Sequence, residues 1–299
     1  MVLIFSVAQA PRDIVAAKPL SDRESWQGGY MTTSNEPISR DLYPLAGRTV
    51  VVTGVSRRAG IGHAIAARAA AFGANLVCQH FSPHDAEQAW GADSIEDVMT
   101  SVRDHLHPGG RLVDIEADFT DPAAPTTVIA TAIEEFGRID GLVCNQAASG
   151  SDGTLDAISS EYLDRHWAVN ARASMLLAQA FARQADGGSI VFMTSGQGEG
   201  PMPDEVAYAT SKAALAGITP TLAAGLADRR IRVNTVNPGP IPTGWMSRDL
   251  ESALLERSPF GRLAEPDDPA RLITWLLTDE ASWITGQVIS SEGGFRRHS

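Results

Sequence analysis

Residues 49–70, TVVVTGVSRRAGIGHAIAARAA, constrain the fold more than any other stretch of the chain. Val50, Val51, Val52 and Thr53 are four β-branched residues in a row, the composition of a short buried strand. Gly54, Gly60 and Gly62 follow, and from His63 to Phe72 apolar residues recur at helical spacing among many alanines. A strand, a glycine-rich turn and a helix in that order make a cradle for phosphate. Glycine lets the backbone approach a pyrophosphate closely, and the first turn of the helix presents unpaired N–H groups and the positive end of its dipole. Glycine clusters also end ordinary strands, so the reading depends on what the rest of the chain provides.

From Arg48 onward strand-like and helix-like segments alternate. Strands are expected at 50–53, 75–79, 111–117, 141–145, 189–194, 231–236 and 288–290. Helices are expected at 62–72, 85–105, 122–136, 161–184, 206–227 and 268–277, with Pro220 kinking the fifth. Continuous apolar runs such as Ile190 to Met193 and Leu142 to Cys144 indicate strands buried on both faces, hence a parallel sheet covered by helices. Right-handed crossovers then give an α/β, doubly wound sheet of about seven strands in one domain, 45–299, with ligands at the carboxyl ends of the strands.

Residues 1–44 read differently. The first ten are apolar without the basic start of a secretory signal, and 11–44 mix polar residues, glycine and proline with no sustained period. This predicts a disordered extension, with the functional protein beginning near Met31. A short cap folded over the sheet is the alternative.

Composition narrows the function classes. A net charge of −12 offers no general cationic surface for nucleic acid or anionic lipid. No apolar run reaches the roughly 20 residues that span a bilayer. The two cysteines, Cys78 and Cys144, lie in separate strand-like runs with the first strand expected between them, so both are expected as free thiols, which fits a reducing, cytoplasmic setting.

The chemistry sits downstream. Ser195 ends the fifth strand at the edge where a doubly wound sheet binds ligands, and Tyr208 and Lys212 follow in YATSK. Tyrosine and lysine four apart share a helical face, with Cβ atoms about 5–6 Å apart. A nearby ammonium favours the phenolate and so lowers a tyrosine pKa towards working pH, as a general acid and base requires. Ser195 can hydrogen-bond the same substrate oxygen. Taken singly, Tyr208 is an ordinary half-buried aromatic and Lys212 an ordinary surface charge; their spacing, with Ser195 and the glycine turn, argues otherwise.

With these residues in place the chain resembles the short-chain dehydrogenase/reductase family, in its 3-oxoacyl-reductase-like branch, over about 45–295. Six motifs occur in family order: TGVSRRAGIG, NQAA at 145–148, Asn170 in WAVNARAS, Ser195, YATSK, and NPGPIPT at 237–243. GQVISSEGG resembles the family's last strand and closing turn. The resemblance implies a Rossmann-type fold and an NAD(P)-dependent oxidoreductase that interconverts a carbonyl and a secondary alcohol. Tyr208 would pass the proton, Lys212 would lower its pKa and hold the nicotinamide ribose, Ser195 would polarise the carbonyl, and Asn170 would hold a water linking Lys212 to solvent. Gly54, Ser56, Gly60, Ile61 and Gly62 would form the cofactor turn. Asn145 and Ala147 would line the adenosine side, Asp118 and its neighbour Phe119 the adenine, and Pro238, Gly239, Ile241 and Thr243 the nicotinamide carboxamide. The family also implies a homotetramer or dimer built on 161–184 and 206–227, and a small-molecule carbonyl or alcohol as substrate.

Two departures stand out. Five residues, Val55 to Ala59, separate Gly54 from Gly60, where the common family turn has three. A longer turn also occurs in the enoyl reductase branch, but that branch places six residues between tyrosine and lysine, and position 215 here is Leu215. The spacing of three favours carbonyl chemistry.

Cofactor choice follows from the second strand. NAD-preferring dehydrogenases place an acid at its end to bind the ribose 2′-OH. Here it runs into His80, Phe81 and Ser82 with no carboxylate before Asp85, while Arg57 and Arg58 stand in the turn near a 2′-phosphate. NADP is therefore expected as the preferred cofactor, with NAD possible. The histidine pairs His80/His84 and His105/His107 lack zinc spacing, and no metal is expected. A serine hydrolase fails because Ser195 lacks the glycine two residues before it that a nucleophile elbow needs. A non-catalytic dinucleotide sensor is the remaining rival. The pocket is expected from 196–206 and 243–263, where Trp245 and Met246 either line a partly apolar cavity or close the core; a 3-oxoacyl thioester, a steroid-like ketone and a sugar-derived ketone all fit.

Overall fold

The computed structural model describes residues 40–150 and 152–297. The expectations for the first 39 residues, including a start near Met31, lie outside them. Seven strands form one sheet: β1 (Thr49–Val52), β2 (Asn75–His80), β3 (Leu112–Glu116), β4 (Gly141–Cys144), β5 (Gly188–Met193), β6 (Ile231–Asn237) and β7 (Val288–Ser290). Their order is β3-β2-β1-β4-β5-β6-β7, and every neighbouring pair is parallel. The order reverses at β1, so the crevice between the loops after β1 and β4 is the switch point at which doubly wound sheets take ligands.

Central strands such as β1 and β4 are buried at every position, as their unbroken apolar runs require. On one face α1 (Ile61–Ala71), α3 (Ile95–Arg103) and α9 (Asp267–Leu276) bury Ile65, Ala69, Val98, Met99 and Ile273 against the sheet. On the other, α4 (Ala124–Phe136), α6 (Ala173–Gln184) and α7 (Val206–Leu226) bury Val128, Leu177, Phe181 and Leu215. Cys78 faces the first core and Cys144 the second; both are free and buried. Burial pushes both thiols above the ordinary range, Cys144 to about 12.

Two of the expected helices are divided. The segment 85–105 is not one helix: α2 (Ser82–Ala86) stops early, Gly91 turns with a φ of +71°, and α3 restarts where the Ser94 hydroxyl accepts from the Asp97 N–H at 3.4 Å. The segment 161–184 is α5 (Ser160–His166), a π-helical stretch (Trp167–Arg172) and α6 in series. A further helix, α8 (Arg248–Glu256), rises after β6, its first turn capped by the Ser247 hydroxyl. α7 runs through Pro220 without interruption.

Candidate active site

The glycine turn is built to admit an anion. Gly54 sits at φ +72°, its N–H held by Gln79 Oε1 at 3.0 Å. A Cβ on Gly62 would lie 2.3 Å from the Gly54 carbonyl oxygen, so only glycine lets α1 start this close to β1. α1 begins at Gly60 with no side-chain cap and no acidic residue in its first turn. Its first N–H groups and dipole therefore have no protein anion to satisfy them, which fits a dinucleotide pyrophosphate. At the end of β2, His80 Nδ1 and Ser82 Oγ are buried without a hydrogen-bond partner among the described residues.

Asn145 ties the same region together. Its Nδ2 donates to the Thr53 and Gly54 carbonyls at 3.0 and 3.3 Å, fixing the loop after β4 to the loop after β1. Ala147 is half-buried beside it. Asp118 folds back on its own backbone, its Oδ1 accepting from the Thr120 N–H, while the Phe119 ring is buried in the core. Pro238 and Ile241 are buried after β6, and Gly239, at φ +74°, packs against Glu292.

The predicted catalytic groups converge at the end of β5. Lys212 is 2% exposed; its Nζ donates to the Met193 carbonyl at 3.0 Å and lies 5.5 Å from the centroid of the Tyr208 ring. Thr194 Oγ1 donates to the Lys212 carbonyl at 2.9 Å, so strand end and helix are pinned to each other. The Ser195 side chain stands beside the Tyr208 phenol, where it favours the ionised form. Burial lowers Lys212 to about 8. Burial, with Glu205 nearby, lifts Tyr208 to about 12, against the pull of the Ser195 contact. This reverses the expected direction for the tyrosine: the lysine amine is turned towards Met193 and the ring face, so desolvation decides.

Asn170 lies in the π-helical stretch and is fully buried. Its Oδ1 accepts from the Ala148 N–H at 2.7 Å and its Nδ2 donates to Ser211 Oγ at 2.9 Å, joining the loop after β4 to α7 one residue before Lys212. π-helical turns inside α-helices recur at functional sites, because the extra residue frees and redirects backbone groups.

Residues that sequence reasoning did not single out complete the arrangement. Asp152 accepts from the backbone N–H of Ala207 at 2.9 Å and of Tyr208 at 2.7 Å, holding the first turn of α7. Asp85 takes Ser56 Oγ at 2.5 Å, Arg57 Nε at 2.9 Å and Trp90 Nε1 at 3.0 Å. Glu292 accepts from Asn237 Nδ2 at 2.9 Å and pairs with Arg297, whose guanidinium lies against Gly196. In the expected pocket, Met246 is buried, whereas Trp245 is 45% exposed, its Nε1 donating to the Ile241 carbonyl at 2.8 Å.

Comparison with known proteins agrees with this geometry. Residues 54–296 match a family model described as "Enoyl-(Acyl carrier protein) reductase". The chain is 38% identical over 255 residues to the uncharacterized oxidoreductase YjdA of Bacillus subtilis, covering 84% of this chain and 97% of that protein. It is 33% identical over 274 residues to an NADPH-dependent aldehyde reductase-like chloroplastic protein of Arabidopsis thaliana, 88% of this chain and 99% of the relative. A solved short-chain dehydrogenase/reductase from Serratia marcescens superposes with a TM-score of 0.73 at 33% identity, covering 84% of this chain and 99% of that one. The chain belongs to the short-chain dehydrogenase/reductase family. As a member it is an oxidoreductase of the kind that uses an NAD(P) dinucleotide and acts on CH–OH and C=O groups.

Lys212 gives this site a signature in stability. Its folded-state value of about 8 lies below the ordinary 10.5, so between those two values the unfolded chain binds more protons than the folded one. Stability from this group therefore rises with pH across that window. Cys78 and Cys144, raised by burial, pull the other way in parent and variant alike, so urea unfolding at pH 8, 9 and 10 should show the parent gaining stability relative to Lys212→Met as pH rises.

Proposed function

We propose that the protein interconverts a carbonyl and a secondary alcohol by hydride transfer, as an NADPH-preferring ketone or 3-oxoacyl reductase. The observation that carries this reading is the meeting of Ser195, Tyr208 and Lys212 at the carboxyl end of β5. The bound dinucleotide supplies the hydride. Tyr208 gives its phenolic proton to the substrate oxygen in reduction and takes one back in oxidation. Its raised pKa keeps it loaded as an acid at neutral pH, the form that reduction consumes. Ser195 polarises the carbonyl, Lys212 holds the nicotinamide ribose, and Asn170 steadies α7 beside Lys212 through Ser211.

The family model's description favours enoyl reduction as a second reading. Against it stands the spacing of Tyr208 and Lys212, one helical turn apart on the same face. Tyr208→Phe keeps the ring and removes the transferable proton. Turnover of a ketone by this variant should fall by at least about a hundredfold with cofactor binding retained; near-normal turnover would remove Tyr208 from the mechanism.

The preference for NADPH rests on three features. Asp85, the first carboxylate after β2, is occupied by Ser56, Arg57 and Trp90 and is not free for a ribose 2′-OH. His80 and Ser82 keep unpartnered polar atoms at the strand end. Arg58 is exposed, its Nε 3.5 Å from Asp93, and suits a 2′-phosphate. Catalytic efficiency should be higher with NADPH than with NADH, and Arg58→Ala should lower the NADPH value alone by about tenfold.

The assembly is a homo-oligomer, a dimer or tetramer, in a cytoplasmic setting. Leu163 and Trp167, 40% and 46% exposed, rim a depression of about 200 Å³ shared with Ala207, Thr210 and Ser211 of α7. Among the described residues no helix is long and apolar enough to cross a membrane. Light scattering should give at least twice the chain mass, and Trp167→Glu should reduce it; a monomeric parent would contradict the assembly.

A further inference from the structure

The lengthened turn between Gly54 and Gly60 puts Arg57 in an unexpected place. Its Nη1 donates to the Thr243 carbonyl at 2.6 Å. Thr243 follows β6 and Arg57 follows β1, and β4 and β5 lie between those strands. With strands about 4.8 Å apart, the two loops rise from strands roughly 14 Å apart. A dinucleotide running from the glycine turn to the segment after β6 must pass the ends of β4 and β5, under the line that Arg57 spans.

The span is braced rather than loose. Asp85 pairs with Arg57 Nε at 2.9 Å, and the Arg57 side chain is only 16% exposed. The guanidinium stacks over Trp90 at 5.0 Å from the ring centroid. Trp90 in turn presses on the far wall, because a Cβ on Gly244 would lie 2.9 Å from Trp90 Cβ. The loop that carries Trp90 is fastened to the turn again by Asp93, which accepts from the Arg58 N–H at 2.8 Å. Four separate segments (the turn, α2, the loop after it and the segment after β6) thus meet over one crevice.

We infer that Arg57 and Trp90, braced by Asp85, form a clasp that retains the bound dinucleotide by bridging the two walls of its crevice, independently of the 2′-phosphate. The inference rests on the dinucleotide reading above and assigns Arg57 a different task from the recognition of phosphate that its sequence position suggests. The two extra residues of the turn provide the reach. A residue that reads the 2′-phosphate discriminates between cofactors; a clasp across the crevice holds both alike.

The test is the rate of cofactor release, followed by stopped-flow fluorescence as bound NADPH or NADH is displaced by excess oxidised cofactor. Arg57→Ala and Trp90→Ala should each speed release of both cofactors by about tenfold, the loss of one charge-assisted contact, and Arg57→Lys should restore part of the retention. Thermal unfolding of each variant shows that it is folded, and Trp90→Ala keeps the test alive should the Arg57 variants be unstable. Acceleration confined to NADPH would overturn the clasp and return Arg57 to the 2′-phosphate. Release unchanged for both cofactors would also overturn it. A parent that binds neither cofactor would instead refute the dinucleotide reading itself, and the clasp with it.

Discussion

A lysine amine buried between α7 and the carboxyl end of β5 is the constraint on which this structure turns. Lys212 is 2% exposed, and its Nζ has the Met193 carbonyl as its partner. Holding a cationic group there opposes its ordinary solvation, and the fold meets that cost with a fixed acceptor at the end of β5 and a second bond from Thr194 to the Lys212 backbone. These contacts set how α7 meets the sheet, and Tyr208, one turn earlier, is placed as a consequence. Asp152 at the start of α7 and Asn170 through Ser211 fix the same helix from its other sides. The proposed catalytic face is therefore a property of the packing of α7, not of any one side chain.

The crevice for the dinucleotide depends on a different economy, that of unmet hydrogen bonds. α1 starts without a cap, and His80 and Ser82 keep buried polar atoms unpaired. Other buried polar groups, such as Asn234, Thr219 and Ser189, have hydrogen-bond partners. Unpaired groups at the start of α1 and the end of β2 fit a polar ligand that would complete them, while Arg172 Nε, Gln197 Oε1 and Arg297 Nε are unpaired elsewhere among the described residues.

The central strands were legible because β1, β2, β4, β5 and β6 are short apolar or β-branched runs buried along almost their whole length, whereas the edge strands β3 and β7 are partly exposed and were read from their place in the alternation. The order of the sheet followed from crossover handedness and from the motifs that end β1, β5 and β6. The helices were less legible at their ends. The break before α3 is signalled locally by Gly91 and by Ser94 three residues before Asp97, and the start of α8 by Ser247 before Asp249 and Glu251. The direction of the Tyr208 shift was not legible, since it depends on which way a buried amine points. Nor were the partners of Arg57: nothing near residue 57 announces that Asp85, 28 positions on, and Thr243, 186 positions on, will both hold it. Local patterns fix elements, whereas pairings across the crevice exist only once the sheet has brought its loops together.

The central claim is that this site delivers hydride to a carbonyl carbon. It is tested most directly by supplying the reduced cofactor deuterated at C4 of the nicotinamide, on the transferring face, with a substrate that carries both a ketone and a conjugated C=C bond. Product analysis by NMR should place deuterium on the carbinol carbon of a new secondary alcohol, with the double bond intact. Deuterium on the β-carbon of a saturated ketone, or its absence from the product, would contradict the account.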